Sequence, residues 1–302
     1  MTPCFIISAF NIAPESFPGG THYLTEKIKL EPLSDEHKAR ISDYLDNHEE
    51  ERLSRNVRKR PVIIVPYNEI HYLRLVVGSE SKRSVALQIH RFALEYFLPN
   101  SLLMAIFSYD GGKISSHSVN YNDTALKKEA DCILPNRVWE KHVAYLGFLY
   151  SCIDAAPAAD IVINRLCRAF KQGPTDDGII DLVIALERLV SAKMEIKFQF
   201  SLFHALINLD APEDRGELFK ILQGLYDIRS QTVHGGKPSS SDQKKIVLIR
   251  ENWDRLLAVG RKNLTYYLLF CKKYGVKGWD NHLKDLSFGC SRISSDGIHD
   301  RA

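Results

Sequence analysis

Asp181-Leu-Val-Ile-Ala-Leu-Glu-Arg-Leu-Val190 is a helical run so apolar around its circumference that it must be buried on most sides. A helix of that kind runs through the centre of a bundle, and the flanking sequence supplies the rest of one. Upstream, Trp139, Val143, Leu146, Leu149, Tyr150 and Ile153 recur at helical spacing. Ile161 to Phe170 forms a second helix, stopped by Lys171-Gln-Gly-Pro174. Downstream, Met194 to Asn208 is a fourth helix. Pro212 to about Val233 is a fifth, with Leu218, Leu222 and Leu225 on one stripe and Gly235-Gly236 as its stop. Ser241 to Tyr274 offers one long helix or two stacked ones. An all-α domain is therefore expected over 135–275. The residues from 276 to 302, rich in Gly, Ser and Asp, are expected to be poorly ordered.

Residues 1–134 read as a mixed α/β domain of sensor or regulatory role, which makes the expected class of the whole chain α+β. Lys27 to Leu33, Pro61-Val-Ile-Ile-Val-Pro66, Tyr72-Leu-Arg-Leu-Val-Val77 and Leu102 to Tyr109 are strand candidates, short and bounded by Pro, Gly or polar residues. Ser34 opens a polar helix through about Arg55, with its hydroxyl as cap and Asp35-Glu36 at the positive end of the helix dipole. Ser84 to Phe97 is a further helix. After the turn at Asp110-Gly-Gly112, Lys113 to Asp131 is polar and irregular, a linker or exposed excursion.

The bulk numbers exclude more than they assign. With 302 residues, 45% of them hydrophobic and 25% charged, the chain has the profile of a globular protein with a real core. No stretch approaches the roughly 18 apolar residues of a membrane span, and Met1-Thr-Pro-Cys-Phe-Ile-Ile7 lacks the basic start of a signal peptide. The six cysteines are scattered without a C-x-x-C pair, so neither a disulfide framework nor a zinc site is expected, and a reducing cytoplasm is the expected compartment. Cys152, Cys167 and Cys271 fall in apolar helical patterns, as buried free thiols do. None of the eleven histidines has a metal-binding spacing, and there is no phosphate-cradling glycine loop or G-x-S-x-G elbow, so no metal or cofactor is expected. The net charge of +3 is small, but from Ser239 to the end 12 Lys/Arg stand against 7 Asp/Glu, an excess of five.

That basic stretch follows Leu225-Tyr-Asp-Ile-Arg-Ser-Gln-Thr-Val-His-Gly-Gly236. Arg229 suits a phosphate, which guanidinium grips with two parallel N–H bonds. His234 suits proton transfer, and the partial negative charge of a helix C-terminus favours a cationic imidazole. Five positions apart on an ideal helix, the two are separated by about 140° and about 7.5 Å. They converge only if the long arginine swings and the Gly-Gly break lets the last turn deform. The structural alternative has His234 as a helix cap and Arg229 paired with Asp227 or Glu187. A second, looser pair, Arg83 and His90, is read as a coincidence on an amphipathic helix.

The wider run Asp177 to Val190, Glu195 to Leu206 and Leu218 to Gly236 resembles the Apea-like branch of the HEPN superfamily, three successive helices in order. The likeness extends more faintly over Trp139 to Tyr274 and to Leu30-Glu-Pro-Leu-Ser-Asp-Glu36. The resemblance implies a helical bundle that pairs into a homodimer, with an Arg and a His from each copy around a shared cleft. It implies a metal-independent endoribonuclease of bacterial antiviral defence or a toxin system, cleaving RNA by attack of the ribose 2′-OH. Arg229 would then hold the scissile phosphate and His234 act as acid or base. Glu187 would orient the arginine or line the cleft, and Tyr226 could stack a base. Ser230 stands where many active members carry Asn, Asp or His, although the Apea-like branch has this Arg-Ser form, and it leaves a hydrogen-bonding group beside the arginine. The alternatives are a non-catalytic RNA- or nucleotide-binding module and a structural dimerisation domain. A partner or trigger protein would act at the N-terminal half.

Overall fold

In a computed structural model, the described residues are six backbone strands before residue 121, the helical residues Ile89, Phe92 and Ala93, and 136–289 apart from 191–194, 209–211 and 236–238. The expected strand Pro61–Pro66 and helix Ser34–Arg55 lie outside them. Contacts divide the chain into two units, 1–87 with 97–147 and the last residue, and 88–96 with 148–301.

The first unit carries one sheet: β1 Cys4–Ala9, β2 His22–Thr25, β3 Ile28–Pro32, β4 Tyr72–Val77, β5 Met104–Asp110 and β6 Lys113–Asn120, in the order β2-β3-β4-β1-β5-β6. Every adjacent pair is antiparallel. Between β4 and β5 the residues Ile89, Phe92 and Ala93 are helical, within the helix expected over Ser84 to Phe97, and they group with the second unit. Lys113–Asn120, expected to be irregular, is the edge strand β6, with Asp110 paired to Lys113 across Gly111-Gly112. An edge position bonds on one side only, which tolerates the polar sequence Lys-Ile-Ser-Ser-His-Ser-Val-Asn.

The α+β class itself does not hold. The described residues of 144–289 are 90% helical and contain no strand, an all-helical bundle. Its elements are α1 Asn136–Cys152, which crosses the unit boundary, α2 Ala159–Gln172, α3 Asp176–Leu189, α4 Ile196–Asn208, α5 Pro212–His234, α6 Ser240–Glu251, α7 Trp253–Tyr274 and α8 Trp279–Ser287. Within the tail from 276 that was expected to be poorly ordered, residues 276–289 are corrected, because α8 buries Trp279, Leu283 and Leu286, and Trp279 Nε1 donates to the Leu189 carbonyl at 2.7 Å; the rest of that tail lies outside the described residues. Three buried apolar residues in nine outweigh a Gly- and Ser-rich average.

Helix α3 lies where its sequence requires, with Ile179, Leu182, Val183, Ala185, Leu186 and Leu189 all buried. It starts directly after α2, whose end is Gly173 at φ +66. Thr175 caps α3 by accepting from the Gly178 amide at 3.2 Å, with Asp176 and Asp177 in the first turn. The buried carboxylate of Asp181 is paired on its α2 side to Arg165 and, at 3.0 Å, to Arg168. Helix α7 lines the core with Trp253, Leu256, Leu257, Leu264, Leu268 and Phe270. Cys152, Cys167 and Cys271 are buried, in the manner read from the sequence. Among the described residues no helix is long and apolar enough to cross a membrane.

One polar cluster lies inside. Asn263 of α7 hydrogen-bonds His204 Nδ1 and accepts from Asn208 Nδ2, both of α4, and Lys262 Nζ donates to the Asn208 carbonyl at 2.7 Å. Burial pushes the His204 imidazole down to about 3, offset only in part by the Leu186 carbonyl. Its Nε2 makes no hydrogen bond of ordinary geometry.

Two outcomes follow from this packing. A Cβ at Gly178 would stand 1.9 Å from the Gly173 carbonyl oxygen, a backbone atom that cannot turn aside. Gly178→Ala therefore lowers stability by about 1–3 kcal/mol, read as a fall in Tm; an unchanged Tm means that the α2–α3 corner is not tight. His204 is neutral in the fold, so its folded pKa lies below the unfolded value of about 6.5 and the unfolded chain takes up the proton first. Its contribution is whole above that pH and is lost as pH falls towards about 3, with a slope of at most about 1.4 kcal/mol per pH unit. His204→Gln flattens the acid limb of stability against pH, and parallel limbs for the two proteins would rule this out.

Candidate functional site

Helix α5 carries every residue of the Arg/His stretch, and its inward stripe Leu218, Ile221, Leu222, Leu225 and Ile228 fixes which way each of them points. Tyr226 and Arg229, one turn apart, lie at the border of that stripe on the side of α3. There Arg229 Nη2 reaches Glu187 Oε2 at 3.3 Å, each side chain about one-quarter exposed. The Tyr226 hydroxyl also hydrogen-bonds Glu187, and the Arg229 guanidinium carbon lies 6.0 Å from the Tyr226 ring centre. Burial first, then the charge and hydrogen bond of Glu187, push the Tyr226 hydroxyl above the ordinary phenol range, with Arg229 offsetting part. The ring packs edge-on against Phe200 of α4 at 5.4 Å, so it is a packed ring with only its rim in solvent. Arg229 Nε is buried and has no hydrogen-bond partner among the described residues.

Asp227, two residues before Arg229, points elsewhere. Its carboxylate accepts from Lys197 of α4 and Lys245 of α6, both at 2.9 Å. Burial pushes its carboxyl up, but the two lysine hydrogen bonds outweigh this and hold it below the usual range. Of the two acids weighed for Arg229, the partner is therefore Glu187, and Asp227 clamps three helices together. Lys197 and Lys245 stand 30 and 18 positions from Asp227, a separation that no spacing rule in the sequence picks out.

His234 ends α5 and is exposed. The helix stays regular to that point, with Thr232 Oγ1 on the Ile228 carbonyl, and Gly235 at φ +69 turns the chain. Gln231 Nε2 donates to Asp242 at 2.7 Å, and Asp242 closes a capping box with Ser239 at the start of α6. These contacts hold the last turn helical, so the deformation needed to swing His234 towards Arg229 does not occur. Glu187, Tyr226 and Arg229 are brought together; His234 is not. It shares a face with half-buried Ser230, four residues back. Among the described residues no group of three or more His, Cys, Asp or Glu side chains is placed to hold a metal ion.

A single 3.3 Å contact with one guanidinium nitrogen, partly in solvent, is a weak ion pair. A double-mutant cycle of Arg229→Ala and Glu187→Ala in urea unfolding gives a coupling below about 1 kcal/mol. A coupling of several kcal/mol would make the pair a structural element of the bundle. In comparisons with known proteins, no family model, no curated protein and no solved structure matches this chain.

Proposed function

We propose that the chain is a HEPN-type protein acting on RNA, a metal-independent endoribonuclease of bacterial antiviral defence or a toxin system. On this reading Arg229 binds the scissile phosphate, and His234 is the acid or base in attack of the ribose 2′-OH, leaving a cyclic phosphate and a 5′-OH. One observation carries it: Arg229 is a solvent-touching guanidinium whose one ion-pair partner among the described residues is Glu187, at 3.3 Å, with the buried Nε unpartnered among them. A cation left so under-satisfied at the surface is available to an anionic ligand. The exposed His234 at the end of the same helix is likewise available to a ligand. The resemblance to the Apea-like HEPN branch directs the choice of RNA and of cytoplasmic action.

Because the two heads do not converge within one chain, cleavage on this reading needs a homodimer in which His234 of one copy serves Arg229 of the other. The same divergence favours a second reading, in which the Arg229 cluster binds RNA or a nucleotide without cleaving it. The two part in one experiment. Purified protein is incubated with RNA in EDTA, and the fragments are scored for cyclic-phosphate ends. The nuclease reading expects such fragments, and a loss of about 10²–10⁴-fold in His234→Ala with Tm unchanged. Full activity in that variant removes His234 from the chemistry. No cleavage by the wild type, with weaker RNA binding by Arg229→Ala, leaves the binding module.

A further inference from the structure

We propose that Glu187 is the resident anion of the Arg229–Tyr226 cluster, holding the position of an RNA phosphodiester and giving it up when RNA binds. The inference rests on Arg229 being the phosphate-binding group. Two donors converge on the Glu187 carboxylate, one from the Arg229 guanidinium and one from the Tyr226 hydroxyl. They stand one turn apart on α5, while the carboxylate comes from α3, so the donors form one wall and the acid is a guest of another helix. Two hydroxyl or N–H donors aimed at one oxygen-bearing group are what a phosphate needs.

The fit of the guest is poor. Arg255 with Glu217 closes to 2.7 Å and Lys197 with Asp227 to 2.9 Å, while Lys245 with Asp242 stands at 3.5 Å. Glu187 reaches only one nitrogen, at 3.3 Å, and leaves the neighbouring Nε without an acceptor. A carboxylate whose role was to fix Arg229 would bridge Nε and Nη2 together. Both side chains are about one-quarter exposed, so the carboxylate can swing out and a solute come in without opening the core. The exchange makes and breaks no covalent bond. Glu187 leaves with its charge and the Tyr226 hydroxyl turns to the incoming oxygen. The released carboxylate then repels the phosphodiester beside it, so Glu187 weakens binding both as a competitor and as a like charge.

The test uses the full chain and a fluorescein-labelled 2′-O-methyl RNA, which lacks the free 2′-OH and cannot be cut by its attack. Its dissociation constant is read by anisotropy at one fixed salt concentration. Glu187→Gln keeps a carbonyl for Tyr226 and Arg229 but removes the charge, and it tightens binding about threefold to fivefold. Arg229→Ala weakens binding about tenfold, and in that background Glu187→Gln has no further effect. Glu187→Asp, which withdraws the carboxylate by one methylene, tightens binding by less and carries the comparison if the Gln variant does not fold. Weakened binding in Arg229→Ala with unchanged or weaker binding in the Glu187 variants overturns the inference and leaves the phosphate role of Arg229 standing. Unchanged binding in Arg229→Ala removes both.

Discussion

The rotation of α3 about its own axis decides where everything else on the bundle can stand, and a buried charge sets that rotation. Asp181 is 1% exposed, and its carboxylate is tolerated there because Arg165 and Arg168 of α2 meet it from the solvent side. Removing a charge from water without partners is prohibitive, so α3 cannot turn Asp181 away from α2. Six residues further along, the helix has rotated by about 600°, which places Glu187 about 120° from Asp181. That side faces α5. The Glu187–Arg229–Tyr226 cluster is thus a geometric consequence of the ion pair on the opposite flank, with the close α2–α3 corner at Gly173 and Gly178 fixing the axial position.

A second constraint acts from inside. The His204, Asn208 and Asn263 side chains are fully or almost fully buried, and they hydrogen-bond one another across α4 and α7. Such a network contributes little net stability over an apolar core, but it penalises any other register of the two helices, since a slip strands its donors. Lys262 extends it to the surface by holding the Asn208 carbonyl at the C-terminus of α4. The register of α4 then fixes Phe200, against which Tyr226 packs, and Lys197, which holds Asp227. Both faces of α5 are therefore set by helices whose own positions are set by buried polar groups.

What the sequence made legible was what local rules govern. The apolar period of Asp181–Val190, the Gly173-Pro174 stop and the stripe Leu218, Leu222, Leu225 are local signals, and the helices lie where they point. The break between α6 and α7 at Asn252 was left open by the sequence, since no Gly or Pro marks it; the helices restart at once, with Asn252 as a shared cap residue. Helix α8 was hidden by averaging, because its apolar residues sit among Gly, Ser and Asp and its stability comes from Trp279 docking 90 positions away. Strand β6 was hidden by the same kind of composition, and β1, apolar and central in the sheet, was not among the strand candidates. At the site, Glu187 was legible only as one of two acids that Arg229 could reach. Choosing between them needs the rotation of α3, which depends on a contact between Asp181 and α2.

The regularity of α5 up to His234 carries the sharpest constraint on chemistry. A helix that frayed at its end would have let Arg229 and His234 meet, and the Gly235-Gly236 pair invites that expectation. Yet the capping box of α6 reaches back through Gln231 to the preceding turn, so Gly235 turns the chain only after the helix is complete. The two residues of the motif then report to different surroundings. Arg229 answers to α3 through Glu187, while His234 stands with Ser230 towards solvent. On the proposed reading, any joint act of the pair belongs to an assembly of two chains, whereas the grip of Arg229 on an anion belongs to one chain alone. Binding and cleavage are separable on that reading: the first would need the α3–α5 cluster, and the second a surface that brings one copy's α5 end to the other's Arg229.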